Sequence, residues 1–288
     1  MLNDEMLSRL DALRIAMRAY ARGSAGGSRK SKALGDSAEF SDFREYALGD
    51  DLRRIDWNAY ARFDKLFLKL FMEEQEMHMT IILDASSSMG FGSPTKWAFA
   101  VQMTEALCYM ALSGGDRVTL AVLSGGGVKQ SPSYMGRQGY FQAASFLASL
   151  SPGGKTGLSY AVSRMPLKTR RGMCIVISDL FSEDGSDEAL ASLLYRKQQP
   201  VVLHVLAPEE MEPTLSGALR LLDSEGGPSV DINAGPEVLR GYHNALDGFL
   251  SSLRASCHRQ GIPYVLLRSD MDWMREALGE LMRGGVIA

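Results

Sequence analysis

The sequence predicts an α/β fold, in which a doubly wound, mostly parallel sheet is flanked by helices and preceded by an N-terminal extension. Short apolar runs such as MTIILD (79–84) and MCIVIS (173–178) suit strands that are buried on both faces. Helical stretches separate these runs, as parallel βαβ units require. Right-handed crossovers would then place helices on both faces of the sheet.

The elements from residue 78 onward follow this alternation. Predicted strands span 79–84, 117–123, 173–178, 201–206 and 264–268, and residues 128–131 form the hairpin partner of 117–123. Predicted helices span 95–113, 138–150, 157–165, 187–197 and 236–260, with a last helix from about residue 272. Thr95 is the expected N-cap of the first of these helices. Residues 219–230 suggest a strand pair at a sheet edge.

Three segments are expected along the chain. Residues 1–37 hold a helix (4–21) and a flexible basic loop, RGSAGGSRKSKALGDS. Residues 38–77 are a densely charged segment, and residues 78–288 are the α/β domain. We expect the first helix to pack on its own domain rather than to bind a partner.

Composition excludes several classes of protein. A net charge of −3 over 288 residues lacks the excess of positive charge that is typical of nucleic-acid-binding proteins. The three cysteines are far apart and suggest neither a zinc site nor a disulfide framework. The charged N-terminus is unlike a secretory signal, and no apolar run has the ~18 residues of a membrane helix. We therefore expect a cytoplasmic protein without membrane insertion.

Polar side chains follow directly on the first buried strand. Asp84, Ser86 and Ser88 alternate in the sequence DASSS, at the strand end where open parallel sheets bind ligands. A carboxylate and two hydroxyls are the oxygen donors that Mg²⁺ or Mn²⁺ prefers. The alternative is that these side chains only cap the loop by hydrogen bonding to its backbone.

Two later loops can complete a metal site. Thr156 lies in a glycine-rich turn, SPGGKTG, and Asp179 ends the strand MCIVIS as Asp84 ends MTIILD. Thr169 is also available, but it lacks such a turn. The site would remain open to an external carboxylate, water or phosphate, and it could be poorly occupied without a partner.

These residues resemble the metal-ion-dependent adhesion site of von Willebrand factor A domains. The five family positions correspond to Asp84, Ser86, Ser88, Thr156 and Asp179. The resemblance implies a von Willebrand factor A-like fold for residues 78–288. It also implies that an acidic residue of a protein partner completes the coordination of the metal.

The charged segment carries a second resemblance. Its pattern is similar to that of a bacterial family of unknown function in which such a stretch precedes an A-like domain. The matching residues are Arg44, Tyr46, Gly49, Asp50, Asp51, Arg53, Ile55, Asp56, Trp57, Ala61 and Arg62. Members typically occur beside MoxR-type AAA+ ATPases, which implies an adaptor that helps such an ATPase to mature or remodel other proteins. Either a partner-binding surface or a structural brace accounts for the segment, and the brace is preferred for Trp57 and Tyr46.

Three functions follow from these patterns. The preferred one is a metal-dependent protein-binding adaptor, without catalytic residues, for a MoxR-type ATPase or for a client that presents a carboxylate. A metal-assisted hydrolase is an alternative, although Lys155 and Glu183 are the nearest and weak candidates for its general base. A metal-free scaffold of the same fold is the third.

The acidic residues Asp187 and Glu188 suit the N-terminus of the predicted helix 187–197.

Overall fold

The computed structural model describes residues 2–3, 5–11, 13, 39–47, 50–72, 77–155, 157–167, 172–182 and 185–287. Two compact units make up the chain. One comprises residues 26–76, and the other comprises residues 1–25 together with residues 77–288. The predicted basic loop and most of residues 4–21 lie outside the described residues.

The smaller unit is a two-stranded hairpin with a short helix between its strands. Strand β1 (Glu39–Glu45) pairs antiparallel with β2 (Phe67–Met72), and helix α1 (Trp57–Phe63) lies between them in sequence. Asp56 caps α1, because its carboxylate accepts the N–H groups of Asn58 and Ala59 at the helix start. Ile55 and Leu68 are buried and form an isolated antiparallel bridge.

The larger unit is built on one central sheet. Its strands are β3 (His78–Asp84), β4 (Arg117–Ser124), β5 (Gly127–Gln130), β6 (Tyr134–Met135), β7 (Gly172–Ser178), β8 (Gln198–Leu206) and, after the ribbon described below, β11 (Tyr264–Arg268). The strand order is β11-β8-β7-β3-β4-β5, with β6 also paired to β4. The five strands from β11 to β4 are parallel, whereas β5 and β6 run antiparallel to β4. The predicted mostly parallel sheet is confirmed.

Helices alternate with these strands as predicted. They are α2 (Lys96–Ser113), α3 (Gly136–Ala148), α4 (Leu158–Arg164), α5 (Ser186–Tyr195), α6 (Pro208–Met211), α7 (Pro236–Arg259) and α8 (Leu278–Arg283). Thr95 accepts the N–H of Ala98 and caps α2, as expected. The last predicted helix begins as a π-helical turn, Trp273–Ala277, before it continues as α8.

The strand pair predicted near residues 219–230 exists, but its predicted position at a sheet edge is wrong. Strand β9 (Gly217–Leu221) pairs with β10 (Val230–Ala234) in a separate two-stranded ribbon. Most side chains of both strands are exposed, and only Ala234 is buried. The ribbon therefore has little apolar surface with which to extend the core of the main sheet.

The core lies on both faces of the central sheet because side chains alternate along each strand. Ile81 and Leu83 of β3 pack in one cluster with α2, whereas Ile82 packs in the other with Val176 of β7 and residues of α4 and α5. All of these side chains are fully or almost fully buried, and each such burial stabilises the fold by about 1.5–3 kcal/mol. Leu7 and Leu10 of the N-terminal helical residues join the first cluster, as the packing interpretation predicted.

No helix among the described ranges is long and apolar enough to cross a membrane. The three cysteines are all buried thiols. Cys174 lies in the core between β-sheet and helices, as its apolar strand predicted.

Candidate metal centre

The candidate centre lies at the carboxyl edge of the sheet. Strands β3 and β7 are parallel neighbours, and Leu83 is paired with Ile177. Asp84 at the end of β3 and Asp179 just after β7 therefore emerge side by side, where open α/β sheets bind ligands. Both side chains are buried, with 5% and 2% of the residue surface exposed.

Asp84 and the two serines form one cluster. The Oδ1 atom of Asp84 accepts the N–H of Ser86 at 2.9 Å, and its Oδ2 accepts the hydroxyl of Ser178 at 2.6 Å. The Oγ atoms of Ser86 and Ser88 are 2.9 Å apart. The structure therefore brings together the three side chains of the DASSS motif, with their oxygen atoms on one loop.

The loop-capping alternative accounts for only part of this geometry. Asp84 does accept a backbone N–H, as that interpretation requires. Ser86 stands at the N-cap position of the 3₁₀ turn Ser87–Gly90, yet its side chain makes no capping hydrogen bond. Its hydroxyl pairs with that of Ser88 instead.

The charge of Asp84 is poorly compensated. Burial raises the pKa of its carboxyl group, and the nearby carboxylate of Asp179 raises that pKa further, while hydrogen bonds from Ser178 and Ser86 oppose both effects. A bound cation would favour the ionised form of such a group.

The glycine-rich turn packs directly on the DASSS loop. The N–H of Gly153 donates to the carbonyl of Ala85 at 2.8 Å, and the N–H of Ser87 donates to the carbonyl of Gly154 at 3.0 Å. Gly154 has a φ of +77°, and a Cβ there would lie 2.9 Å from the Cα of Gly125. Only glycine permits this close approach of two loops.

Several sequence candidates lie outside the described residues. Thr156, Thr169 and Glu183 are among them, so their roles stay predictions. Lys155 is described and exposed at the end of the glycine-rich turn.

A buried lysine, which the sequence analysis did not single out, binds Asp179. The Nζ atom of Lys96 lies 2.7 Å from Oδ2 of Asp179 and 2.5 Å from Oε1 of Glu210. The Lys96 side chain has no exposed surface. The other oxygen of Asp179, Oδ1, accepts the N–H of Phe181 at 3.3 Å.

Glu210 reaches this lysine from the short helix α6. Its second oxygen accepts the N–H of Ala207 at 2.8 Å, so both carboxylate oxygens have partners. Burial raises the pKa of Glu210, and the Lys96 ammonium acts in the opposite direction. One sequence signal could have drawn attention to the lysine, because Lys96 lies in the first turn of α2, where the helix dipole disfavours a cation unless acidic groups compensate it. That signal does not identify Glu210 as its partner.

Two further titratable side chains surround the centre. His204 of β8 is fully buried, and burial lowers the pKa of its ring to about 4, although Asp179 favours the charged form. Glu225, in the loop between β9 and β10, lies within electrostatic reach of Asp84 and Asp179. Burial raises the pKa of Glu225, Lys155 opposes that shift, and the two aspartates add to it.

The donor chemistry fits a hard dication. Asp84, Ser86 and Ser88 offer a carboxylate and two hydroxyls, which suit Mg²⁺ or Mn²⁺. In the described part of the chain, no group of three or more histidine, cysteine, aspartate or glutamate side chains could hold a metal ion. The hydroxyls of Ser86 and Ser88 would therefore have to serve as ligands.

The charged segment of the smaller unit combines structural and exposed residues. Arg44 pairs with Asp50 at 2.7 Å, and Asp50 also accepts the N–H of Ala47. Asp51 caps the 3₁₀ turn Leu52–Arg54 by accepting the N–H of Arg53. Among the other signature residues, Asp56 is the buried cap of α1 and Tyr46 is half-buried. The side chains of Arg53, Trp57 and Arg62 are exposed. Gly49 lies outside the described residues.

Trp57 does not behave as a buried anchor. Its side chain is 63% exposed, and Tyr60 and Phe63 on the same helix are exposed as well. Trp57 packs edge-on against Tyr60, with ring centroids 6.2 Å apart. Trp57 is therefore not part of the buried core of the smaller unit, and the choice between a partner-binding surface and a brace stays a prediction.

The central, mostly parallel sheet with helices on both faces is a doubly wound α/β domain, and a polar cluster lies at the carboxyl edge of its sheet. Residues 42–247 match the family described as protein of unknown function DUF58, and the chain belongs to that family. The uncharacterized protein Rv1480 of Mycobacterium tuberculosis is 26% identical over 249 residues, which are 84% of this chain and 78% of the relative.

The solved structures that are similar to the chain include two that it covers over most of their length. The conserved hypothetical protein BatB from Bacteroides thetaiotaomicron is 21% identical, with a TM-score of 0.42, over 72% of this chain and 98% of that one. The SpRpn10 VWA domain is 10% identical, with a TM-score of 0.40, over 71% of this chain and 95% of that one.

Proposed function

We propose that this chain is a metal-dependent protein-binding adaptor. Asp84, Ser86 and Ser88 would hold Mg²⁺ or Mn²⁺, with Asp179 and Thr156 completing the site. The observation that carries the proposal is the cluster at the carboxyl edge of the sheet, in which the backbone N–H and the side chain of Ser86 both bond to the Asp84 carboxylate and the Ser86 hydroxyl also bonds to that of Ser88. A carboxylate of the partner would take the open position on the bound ion.

The local charge explains why such a partner would need the ion. A partner carboxylate that approaches the centre meets the charges of Asp84, Asp179 and Glu225. Asp179 raises the pKa of Asp84, and both aspartates raise the pKa of Glu225. Like charges in a partly buried site repel strongly. A dication reverses the sign of this interaction, and binding of the partner would then depend on it.

The buried lysine favours the adaptor over the hydrolase alternative. Lys96 donates to both Asp179 and Glu210, so its ammonium is committed to ion pairs and is not placed as a general base. Lys155 is exposed, and its charge lowers the pKa of Glu225. The proposed chemistry is therefore recognition of an acidic group rather than activation of a water molecule.

The proposed partner is a MoxR-type AAA+ ATPase or a client protein that it remodels. This assignment follows the family resemblance of the charged segment, and the exposed side chains of Arg53, Trp57 and Arg62 are the proposed second contact. The protein would act in the cytoplasm, where such an ATPase and its clients would meet it.

A capture experiment tests the proposal. The full chain is immobilised and exposed to a purified MoxR-type ATPase in Mg²⁺ or in EDTA, as wild type, Asp84→Ala and Asp231→Ala. Asp231 is the matched control, because its carboxylate is 83% exposed on the separate ribbon. We expect capture in Mg²⁺ by the wild type and by Asp231→Ala, and loss of capture with EDTA or Asp84→Ala. Equal capture of the ATPase by all three proteins, in Mg²⁺ and in EDTA alike, would contradict a metal-dependent interaction.

A further inference from the structure

We infer that Lys96 is a tethered cation that shares the acidic centre with the dication and limits how tightly that ion binds. The inference rests on the proposed metal site and adds a residue that sets its affinity. Lys96 touches Asp179 directly, at 2.7 Å, and is thus a positioning residue for that carboxylate.

The ammonium already occupies the place of a cation beside Asp179. Oδ2 of Asp179 accepts from Lys96, and Oδ1 accepts from the backbone of Phe181, so each oxygen has a protein donor. A dication that binds Asp179 must share Oδ2 with the ammonium, use Oδ1 beside the N–H of Phe181, or act through an intervening water. In each case the positive charge of the lysine weakens the attraction of Asp179 for the ion.

The location of Lys96 makes this effect strong. Its side chain has no exposed surface, and that of Asp179 is 3% exposed, so water screens their charges little. The charge of Asp179 acts on Asp84, and the ammonium of Lys96 contacts Asp179 directly, so Asp179 links the ammonium to the candidate ligands. At an effective dielectric constant of about 20, two like charges several ångströms apart change an affinity roughly tenfold or more.

Glu210 is the second carboxylate partner of the lysine. The ammonium lies between the carboxylates of Asp179 and Glu210, and the ring of Phe181 has its centroid 5.4 Å from Nζ. A buried cation is tolerated only with such partners. The three charges together leave one net negative charge, which supports the fold without metal and still leaves Asp84 to attract the ion.

A purely structural role for Lys96 makes a different prediction. If the lysine only links α2 to α6, its removal changes stability and leaves metal affinity unchanged. If it is a competing cation, its removal tightens metal binding. Metal affinity therefore distinguishes the two roles where stability cannot.

The variants are chosen to balance buried charge. Lys96→Met/Glu210→Gln removes one positive and one negative group, and Glu210→Gln alone is its matched control because the two differ only at Lys96. Should the double variant fail to fold, Lys96→Gln/Glu210→Gln keeps an amide donor near Asp179 without the charge. Binding of Mn²⁺ to the folded full chain is followed by electron paramagnetic resonance, which measures the free ion directly.

We expect the double variant to bind Mn²⁺ roughly tenfold or more tightly than Glu210→Gln. Binding by the double variant where the wild type binds too weakly to detect would support the inference most strongly. Equal affinity of the double variant and Glu210→Gln would overturn the inference while leaving the metal site intact. An absence of binding by every variant in millimolar Mn²⁺ would overturn both the inference and the proposed function.

Discussion

The ammonium of Lys96 and the carboxylate of Asp179 form a buried ion pair, with Nζ and Oδ2 2.7 Å apart. The pair joins the first turn of α2 to the carboxyl end of β7 across 83 residues of sequence. Glu210 extends it to α6, so three separate segments meet at one ammonium.

Removing the lysine alone should destabilise the fold. Lys96→Met leaves Asp179 and Glu210 buried without their cation, and breaking a buried pair in this way costs about 3–5 kcal/mol. Urea denaturation at neutral pH in EDTA measures the loss. Arg240→Met is the control, because Arg240 and Glu237 are a highly exposed pair and their separation of 3.9 Å gives little stability. A loss for Lys96→Met no larger than that for Arg240→Met would show that the buried pair does not stabilise the fold.

Metal affinity should depend on the second serine of the motif. Ser88→Ala removes one hydroxyl ligand, and we expect it to weaken Mg²⁺ binding about tenfold, which corresponds to about 1.4 kcal/mol. Calorimetric titration measures the affinity. Ser149→Ala is the matched control, since the Ser149 hydroxyl donates to the carbonyl of Phe146 in its own helix end. Equal affinities of the two variants would remove Ser88 from the ligand set.

The free energy of unfolding in EDTA should decrease as the pH is lowered, because of His204. The pKa of His204 is lowered to about 4 in the folded chain, below its ordinary value of 6.5. The neutral ring therefore contributes stability above pH 6.5, and this contribution is lost as the pH falls towards 4. Between pH 7.5 and 5 the loss is about 2 kcal/mol.

The His204→Gln variant isolates this effect from other titrations. Asp84 and Glu210 have raised pKa values, so they favour folding as the pH falls, but they do so in the wild type and the variant alike. The groups that face the ring, Tyr264, Asp179 and Lys96, are also common to both. Parallel stability curves for the wild type and His204→Gln would contradict the assigned pKa shift.

Trp57 should matter little for the stability of the smaller unit. Its side chain is 63% exposed, so Trp57→Ala is expected to change local stability by about 0.5 kcal/mol or less. Ile55→Ala is the comparison, because Ile55 is 6% exposed and its truncation should cost about 2–5 kcal/mol. Hydrogen exchange of the amides in β1 and β2 measures the change in local stability in both variants. A large loss of protection in Trp57→Ala would show instead that Trp57 stabilises the smaller unit.

The fold was predictable because its signals are local. Strand β3 is buried on both faces, and the six residues from Met79 to Asp84 read as one apolar run that ends in a carboxylate. Thr95 and the helix that follows it are likewise set by neighbouring residues. The location of the DASSS loop at the strand end was predictable for the same reason, because the motif begins at the last residue of β3.

The buried lysine could not be found in this way. Lys96 and Glu210 are 114 residues apart, and only the folded sheet brings α2 and α6 together. The position of the β9–β10 ribbon also depends on tertiary packing. The two strands pair with each other locally, but whether they join the main sheet depends on residues that are distant in the sequence. Thr156 stays a prediction, since it lies outside the described residues.

The most direct test of the metal centre is thermal unfolding of the full chain with and without millimolar Mn²⁺ or Mg²⁺. A ligand that binds only the folded state at a hundred times its dissociation constant stabilises it by about 2.7 kcal/mol. We expect the metal to raise the melting temperature of the wild type and to have no effect on Asp84→Asn, which preserves the shape of the side chain. An unchanged melting temperature in the wild type, or an equal rise in Asp84→Asn, would contradict a metal site at Asp84, Ser86 and Ser88.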